Sequence, residues 1–405
     1  MITIYYSWRN LWRNSRRTLI TLIALALTTA VLIINLALVE GYLKDAVANA
    51  TDLVVGEAQV HAPGYLEDHS LYKTIENPDA ILKAARDNGI GATERTYGYG
   101  LVSVGNKSAG AFFWGVKPSA EKTTFELAKH IGEGSFLTDS ETGGIVLGKK
   151  IARSLNANVG DEIIAVVQAA DGSLSPALYN VTGILKSAGE DIDRGAAILN
   201  DADFRGLFVM DKGVHEIALN SKGRIAPEMM PQLLAPALGK AEIKTWRQLL
   251  PAFSDIINLS SASIGIIGIV FFLAAGLGIM NTMLMATYDR MREFGILKAL
   301  GTGPARIIGN VLAEAFLLSL VATLIGIILG LAGSYYLQVV GLDTGKVSGE
   351  ISFAGVAFDP VWHASISVRT IILPVLEMWV ICVLASLYPA ILAARLEPVK
   401  AMLHV

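Results

Sequence analysis

The sequence predicts an integral membrane α-helical protein, with four transmembrane helices and a large α+β extracytoplasmic domain inserted between helices 1 and 2. Three observations lead there. Hydrophobic residues make up 53% of the 405 while charged residues still reach 17%, too apolar for a soluble domain and too polar for an all-membrane bundle. Four apolar runs, 19–39, 264–286, 307–340 and 371–392, are each long enough, at ~20 residues or more, to cross the ~30 Å hydrocarbon layer as a helix. Between the first two lies a long stretch in which strand-like and helix-like patterns alternate with turn residues.

Residues 1–18 come first. Ile4, Tyr5, Trp8, Leu11 and Trp12 recur at helical spacing with arginines between them, the pattern of an amphipathic helix lying in the interface. Arg9, Arg13, Arg16 and Arg17 precede the first span (19–40) without any acid, which puts that end in the cytoplasm. The run continues into Glu40 and Gly41 with no small-residue cleavage site, so it reads as a span and not a signal peptide. Alternation then places 41–258 outside, span 2 at 262–288, a basic cytoplasmic loop at 289–306, span 3 at 307–340, an outer loop at 341–369, span 4 at 370–392 and a cytoplasmic tail at 393–405. Arg290, Arg292, Lys298 and Arg306, like Arg395 and Lys400, fall inside, so both termini are cytoplasmic in a multi-pass protein of the inner (plasma) membrane.

In the outer segment, two βαβ units at about 55–100 and 213–246 flank a β-rich insertion at about 101–212, and 246–259 reads as a helix leading into span 2. A lone Cys382 means this domain folds without an intrachain disulfide. The net charge of -3 provides no global field for nucleic acid.

Catalytic patterns are incomplete. Gly143, Gly148 and Lys149 match Gly-x4-Gly-Lys, but Lys150 stands where a magnesium-binding hydroxyl belongs, and the segment reads as a strand turning into a helix. The six histidines show no metal-ligand spacing and no Gly-x-Ser-x-Gly elbow exists, so neither a metal site nor a catalytic residue is assigned. Glu314 and Glu377 lie inside apolar spans, where an ionised carboxylate costs roughly 2.5–3.5 kcal/mol, so each needs a partner or a wet cavity. Glu314 reads either as a functional carboxylate or as one that snorkels or pairs with Arg306. Gly326 and Gly330 form a G-x-x-x-G, with Gly333 a turn later, which permits close helix packing within or between chains.

The most specific signal is GIMNTMLMATYDRMREFGILKALG, from Gly278 to Gly301. It resembles the FtsX-like permease family, which includes MacB-type exporters and the lipoprotein-releasing permeases of the LolC and LolE type. The ending SLYPAILAARLEPVKA, from Ser386, and GIVLGKKIARSL, from Gly144, followed by Val159, Gly160 and Asp161, are similar to the same family. Independently of that likeness, residues 290–300 can form a short amphipathic helix, with Met291, Phe294, Leu297 and Lys298 on or near one face and Gly301 as its stop.

The resemblance implies a non-catalytic subunit that binds no cofactor itself and acts with an ABC-type ATPase dimer, which uses ATP and Mg. A second permease chain, a lipoprotein or other amphiphilic substrate, and a periplasmic chaperone or adaptor are the further partners it implies. Arg290, Arg292, Glu293, Phe294, Leu297, Lys298 and Gly301 would form the coupling element, with Phe294 and Leu297 buried in the ATPase groove and the charges at its rim. The lipoprotein-releasing layout is favoured by chain length without a fused ATPase, and by Tyr179 to Leu185 followed by Asp191 and Asp193. In that layout Pro176, in a short 171–177 turn, is the candidate for chaperone docking. A MacB-like exporter of drugs, peptides or glycolipids and an FtsX-like signalling subunit acting on a cell-wall hydrolase are the alternatives.

Overall fold

The computed structural model describes residues 9, 15–344, 351–353, 356–358 and 361–397. The expected interfacial helix around Trp8 and Trp12, and the tail with Lys400, lie outside these residues. The chain forms two compact units, one of Met1–Leu43, Ile257–Lys346 and Val361–Val405, the other of Lys44–Ile256 and Val347–Pro360.

Four helices are long and apolar enough to cross a membrane among the described residues. They are α1 (Ser15–Ala50, prolonged by a π-helical turn, Thr51–Val55), α2 (Pro251–Asp289), α4 (Pro304–Val340) and α5 (Val368–Arg395), with the short α3 (Met291–Ala299) between α2 and α4. Every long helix outruns the apolar run that announced it, because residues beyond the hydrocarbon edge continue a helix unless something stops them. At α2 the stop is visible. The continuous helix expected over 246–259 is broken into Trp246–Leu249 and α2, with Leu250 at φ -121° and ψ 65° between them. The Pro251 ring excludes the α region for the residue before it and suits the first helical position itself. Pro304 opens α4 the same way, and Ser367 with Thr370 forms a capping box at α5.

In the membrane unit, Leu22 and Leu25 of α1 meet Ile279 and Met283 of α2, Leu318 of α4 and Cys382 of α5 in one buried cluster. The α4 glycines act inside this chain. A Cβ at Gly326 would come within 2.6 Å of Thr29, one at Gly330 within 2.9 Å of Ile33 and one at Gly333 within 2.5 Å of Ile34, so their lack of a side chain lets α4 lie directly on α1.

The inserted unit is built on one ten-stranded sheet of order β10-β1-β9-β2-β3-β8-β5-β7-β4, with β6 paired to β2 and β7. The strands are β1 (Ala58–His61), β2 (Gly91–Val104), β3 (Lys107–Val116), β4 (Ile131–Gly134), β5 (Gly144–Leu147), β6 (Glu162–Gln168), β7 (Leu174–Leu185), β8 (Ala196–Asn200), β9 (Glu216–Asn220) and β10 (Glu242–Thr245). Strand–helix–strand units run from β1 to β2 and from β9 to β10, but they interleave: β9 lies between β1 and β2, antiparallel to both. The division expected near 101 falls inside β2, whose far half pairs Gly100 to Ser103 with β6, so units and insertion share one sheet.

Strand alternation sorts the core. Val60, Ile217 and Leu219 face Ile81 and Ala85 of helix Pro78–Asp87, and Leu234 of helix Met230–Leu238. Farther along, Phe113, Leu147 and Leu199 cover one side of the sheet, while Trp114, Val146 and Ile198 cover the other.

Candidate functional site

Helix α3 is a nine-residue element between two spans, closed by a turn that only certain residues permit. The Gly301 N–H donates to the Lys298 carbonyl at 3.0 Å and the Thr302 N–H to the Leu297 carbonyl at 2.9 Å, the paired bonds of a Schellman ending. Gly301 sits at φ +87°, a left-handed conformation costly for any residue with a Cβ.

One face of α3 is fastened to its own chain. Phe294 is buried with Ile307 and Val311 of α4 and Ala390, Ala393 and Ala394 of α5, and Leu297 packs against the same cluster. Lys298 Nζ donates to the carbonyls of Ala394 at 2.8 Å and Leu396 at 2.6 Å, satisfying acceptors that the end of α5 leaves open. Arg290, itself buried, reaches Glu314 at 2.7 Å and Glu293 at 3.2 Å, with its guanidinium 5.1 Å from the centre of the Phe294 ring. Glu314 is therefore answered by Arg290, not by Arg306, which is exposed.

The opposite face of α3 is open. Arg292, Ile296 and Leu300, spaced four apart, are all exposed, Leu300 to 79%. The expectation that Phe294 and Leu297 would enter a partner's groove thus meets a different geometry. Those two side chains are committed to α4 and α5, and the available apolar surface belongs to Ile296 and Leu300. The helix carries apolar residues on two faces, and the second stripe was the overlooked signal.

Glu377 lies elsewhere in the membrane unit. It borders a cavity of about 210 Å³ with Asn35, Glu40, Arg369, Leu36 and Gly268. Gly143 serves a turn at φ +78°, with its N–H donating to Asp203 Oδ2 at 2.9 Å, Gly148 serves packing, with the Ile192 and Asp193 carbonyls where a Cβ would stand, and Lys150 pairs with Glu190. Among the described residues no group of His, Cys, Asp and Glu could hold a metal ion.

Pro176 stands in β7 opposite Val166, so the short turn expected at 171–177 is the tip of a seven-pair hairpin of β6 and β7. Its face of the sheet also carries Leu101, Ile164 and Leu178, all exposed apolar side chains.

Comparison with known proteins adds two matches that tile the chain. The family described as MacB-like periplasmic core domain matches residues 18–230, and the FtsX-like permease C-terminal family matches residues 265–398. The lipoprotein-releasing system transmembrane protein LolC of Neisseria meningitidis is 22% identical over 405 aligned positions, covering 95% of this chain and 93% of that protein. The pyoverdine export ATP-binding/permease protein PvdT of Pseudomonas syringae is 26% identical, covering 81% of this chain and 51% of that longer protein. Among solved structures, the periplasmic region of MacB from Actinobacillus actinomycetemcomitans aligns with 47% of this chain at 15% identity and a TM-score of 0.36.

Proposed function

Since the chain belongs to the FtsX-like, MacB-type permeases of ABC transporters, we propose that it couples ATP hydrolysis by a separate ATPase to release of a lipoprotein, or a similar amphiphile, from the membrane. The observation that carries this reading is α3, rigidly held on one face by Phe294, Lys298 and the Arg290–Glu314 pair while Arg292, Ile296 and Leu300 stay free. A helix so mounted transmits a push into α4 and α5 without yielding. In this reading α3 faces the cytoplasm, where the ATPase dimer uses ATP and Mg, and the inserted domain handles substrate on the far side. Two permease chains complete the assembly, and the apolar sheet face around Pro176 is the docking surface for a periplasmic chaperone.

The test replaces Ile296 and Leu300 together with Asp. If they are contact hot spots, co-purification of the ATPase should weaken by roughly thirtyfold or more. Insertion and folding should be unchanged, because both side chains are already exposed. Normal association and normal stimulation of ATP turnover would refute the coupling role. The likeness to PvdT supports an exporter as the second reading. Recovery of a soluble small molecule, and no acylated protein, with the purified complex would favour it.

A further inference from the structure

The membrane unit holds a cavity of about 210 Å³ between α1, α2 and α5. Much of its wall is apolar, with Leu36 of α1 and Leu373 of α5 among the lining residues. Four residues break that pattern: Asn35 and Glu40 of α1, and Arg369 and Glu377 of α5. The first two and Glu377 are half-buried, and Arg369 is exposed. Among the described residues, the side chains of these four make no hydrogen bond and no ion pair. Glu314, the other carboxylate placed within a span, is paired with Arg290. An ionisable group in a span that lacks such a partner inside its own chain, and borders a cavity instead, marks a ligand site by default.

The helices fix the level of each group. Glu40 directly follows the apolar run of α1 and Arg369 is the second residue of α5, so both stand at the mouth, where α1 leaves the membrane unit and α5 begins. Glu377 lies eight residues farther along α5, about 12 Å deeper into the span. Side chains lean toward the N-terminus of their own helix, and α1 runs toward the mouth while α5 runs away from it. Glu40 therefore leans into the cavity and Glu377 rises to meet it. Gly265 and Gly268 of α2 line the cavity without filling it, since a Cβ at either would meet nothing within 4 Å. The two carboxylates call for N–H donors and the guanidinium for an anionic oxygen. A ligand that carries an ammonium and a phosphate together answers all three.

We propose that this cavity holds the headgroup of a phospholipid with a primary amine, its ammonium between Glu40 and Glu377 and its phosphate on Arg369. Asn35, deeper than Glu40, donates to an ester carbonyl, and Leu36 and Leu373 contact the acyl chains. A choline headgroup has no N–H to donate and a glycerol headgroup has no cation, so neither matches the full set of partners. The lipid is resident, not cargo. It binds without the ATPase, so the proposal stands apart from the release reaction.

The experiment titrates the full chain in detergent with dioleoyl phosphatidylethanolamine, phosphatidylcholine or phosphatidylglycerol and counts bound lipid by native mass spectrometry. One ethanolamine lipid should bind about tenfold more tightly than either of the others, the worth of hydrogen bonds to charged groups. Glu40→Gln combined with Glu377→Gln should lower its affinity to that of the choline lipid and leave the choline lipid unchanged. Arg369→Gln should instead weaken the ethanolamine and choline lipids alike, because they share the phosphate. Free phosphoethanolamine, which lacks the chains, should compete only weakly. Equal affinity for the three lipids overturns the proposal, and so does a preference for the glycerol headgroup; both are read on the unaltered chain, whatever the variants do to folding. An ethanolamine preference that survives loss of both carboxylates places the lipid elsewhere and overturns it too. Phosphoethanolamine binding as tightly as the lipid overturns the lipid assignment.

Discussion

Helices α2 and α4 are nearly equal in apolarity, with mean hydropathy of 2.4 and 2.6 over their most apolar windows, yet 39% of the α4 window is buried and only 18% of the α2 window. Hydrophobicity therefore does not decide which helix is packed. In lipid the tails are as apolar as leucine, and association rests on how closely two backbones can approach. On α4, Gly326 and Gly330 with Ala315 and Ala322 give α1 a flat seat. On α2, Ile266, Val270, Leu273 and Leu277 form an exposed stripe of large side chains at alternating spacings of four and three. Such a stripe suits lipid, or the second permease chain of the proposed assembly.

Substitutions can break this contrast, and the largest effect should come at the join between the two helices. Arg290, directly after α2, is held by Glu314 of α4. Glu314→Ala should cost about 3 kcal/mol, because it removes the closer of the two carboxylates that answer the buried Arg290 guanidinium and leaves only Glu293 at its edge. The measurement is the unfolding free energy in bicelles, and the double variant Arg290→Met with Glu314→Met should recover most of the loss. Next comes Gly330→Leu. It must displace Ile33 and should cost about 1–3 kcal/mol by overpacking, whereas the same change at Gly278, where a Cβ meets nothing within 4 Å, should be close to neutral. Smallest is Leu273→Ala on the open stripe, within about 0.5 kcal/mol of wild type for the single chain. If two chains meet along this stripe, that variant should nonetheless reduce the dimer fraction measured by cross-linking, and an unchanged fraction would leave the stripe to lipid.

The same contrast marks what could be read in advance. The four spans were legible because ~20-residue apolar runs have few other uses, and Gly301 was legible as a stop because a left-handed turn selects glycine. The inward face of α3 was not. Phe294 and Ile296 are equally apolar, and only the positions of α4 and α5 decide which one is buried. For Glu314 the sequence offers a functional role, snorkelling or a pairing with Arg306, eight positions away, whereas its partner Arg290 stands 24 positions back, beyond α3. The interleaving of β1 with β9 depends on pairings about 158 positions apart, such as Val60 with Ile217, which no local pattern encodes. Gln59 and His61 alternate with Ala58, Val60 and Ala62 as on a solvent-facing strand, yet that face is covered.

The clasp of Lys298 on the carbonyls of Ala394 and Leu396 carries one more consequence. An amine occupied by two acceptors and half-shielded from solvent is a poor nucleophile toward acylating reagents. Its modification rate therefore works as a clock for the clasp. Should a working cycle lift α3 away from α5, even transiently, Lys298 would label during turnover and stay silent at rest, reporting the stroke by mass spectrometry without any engineered probe.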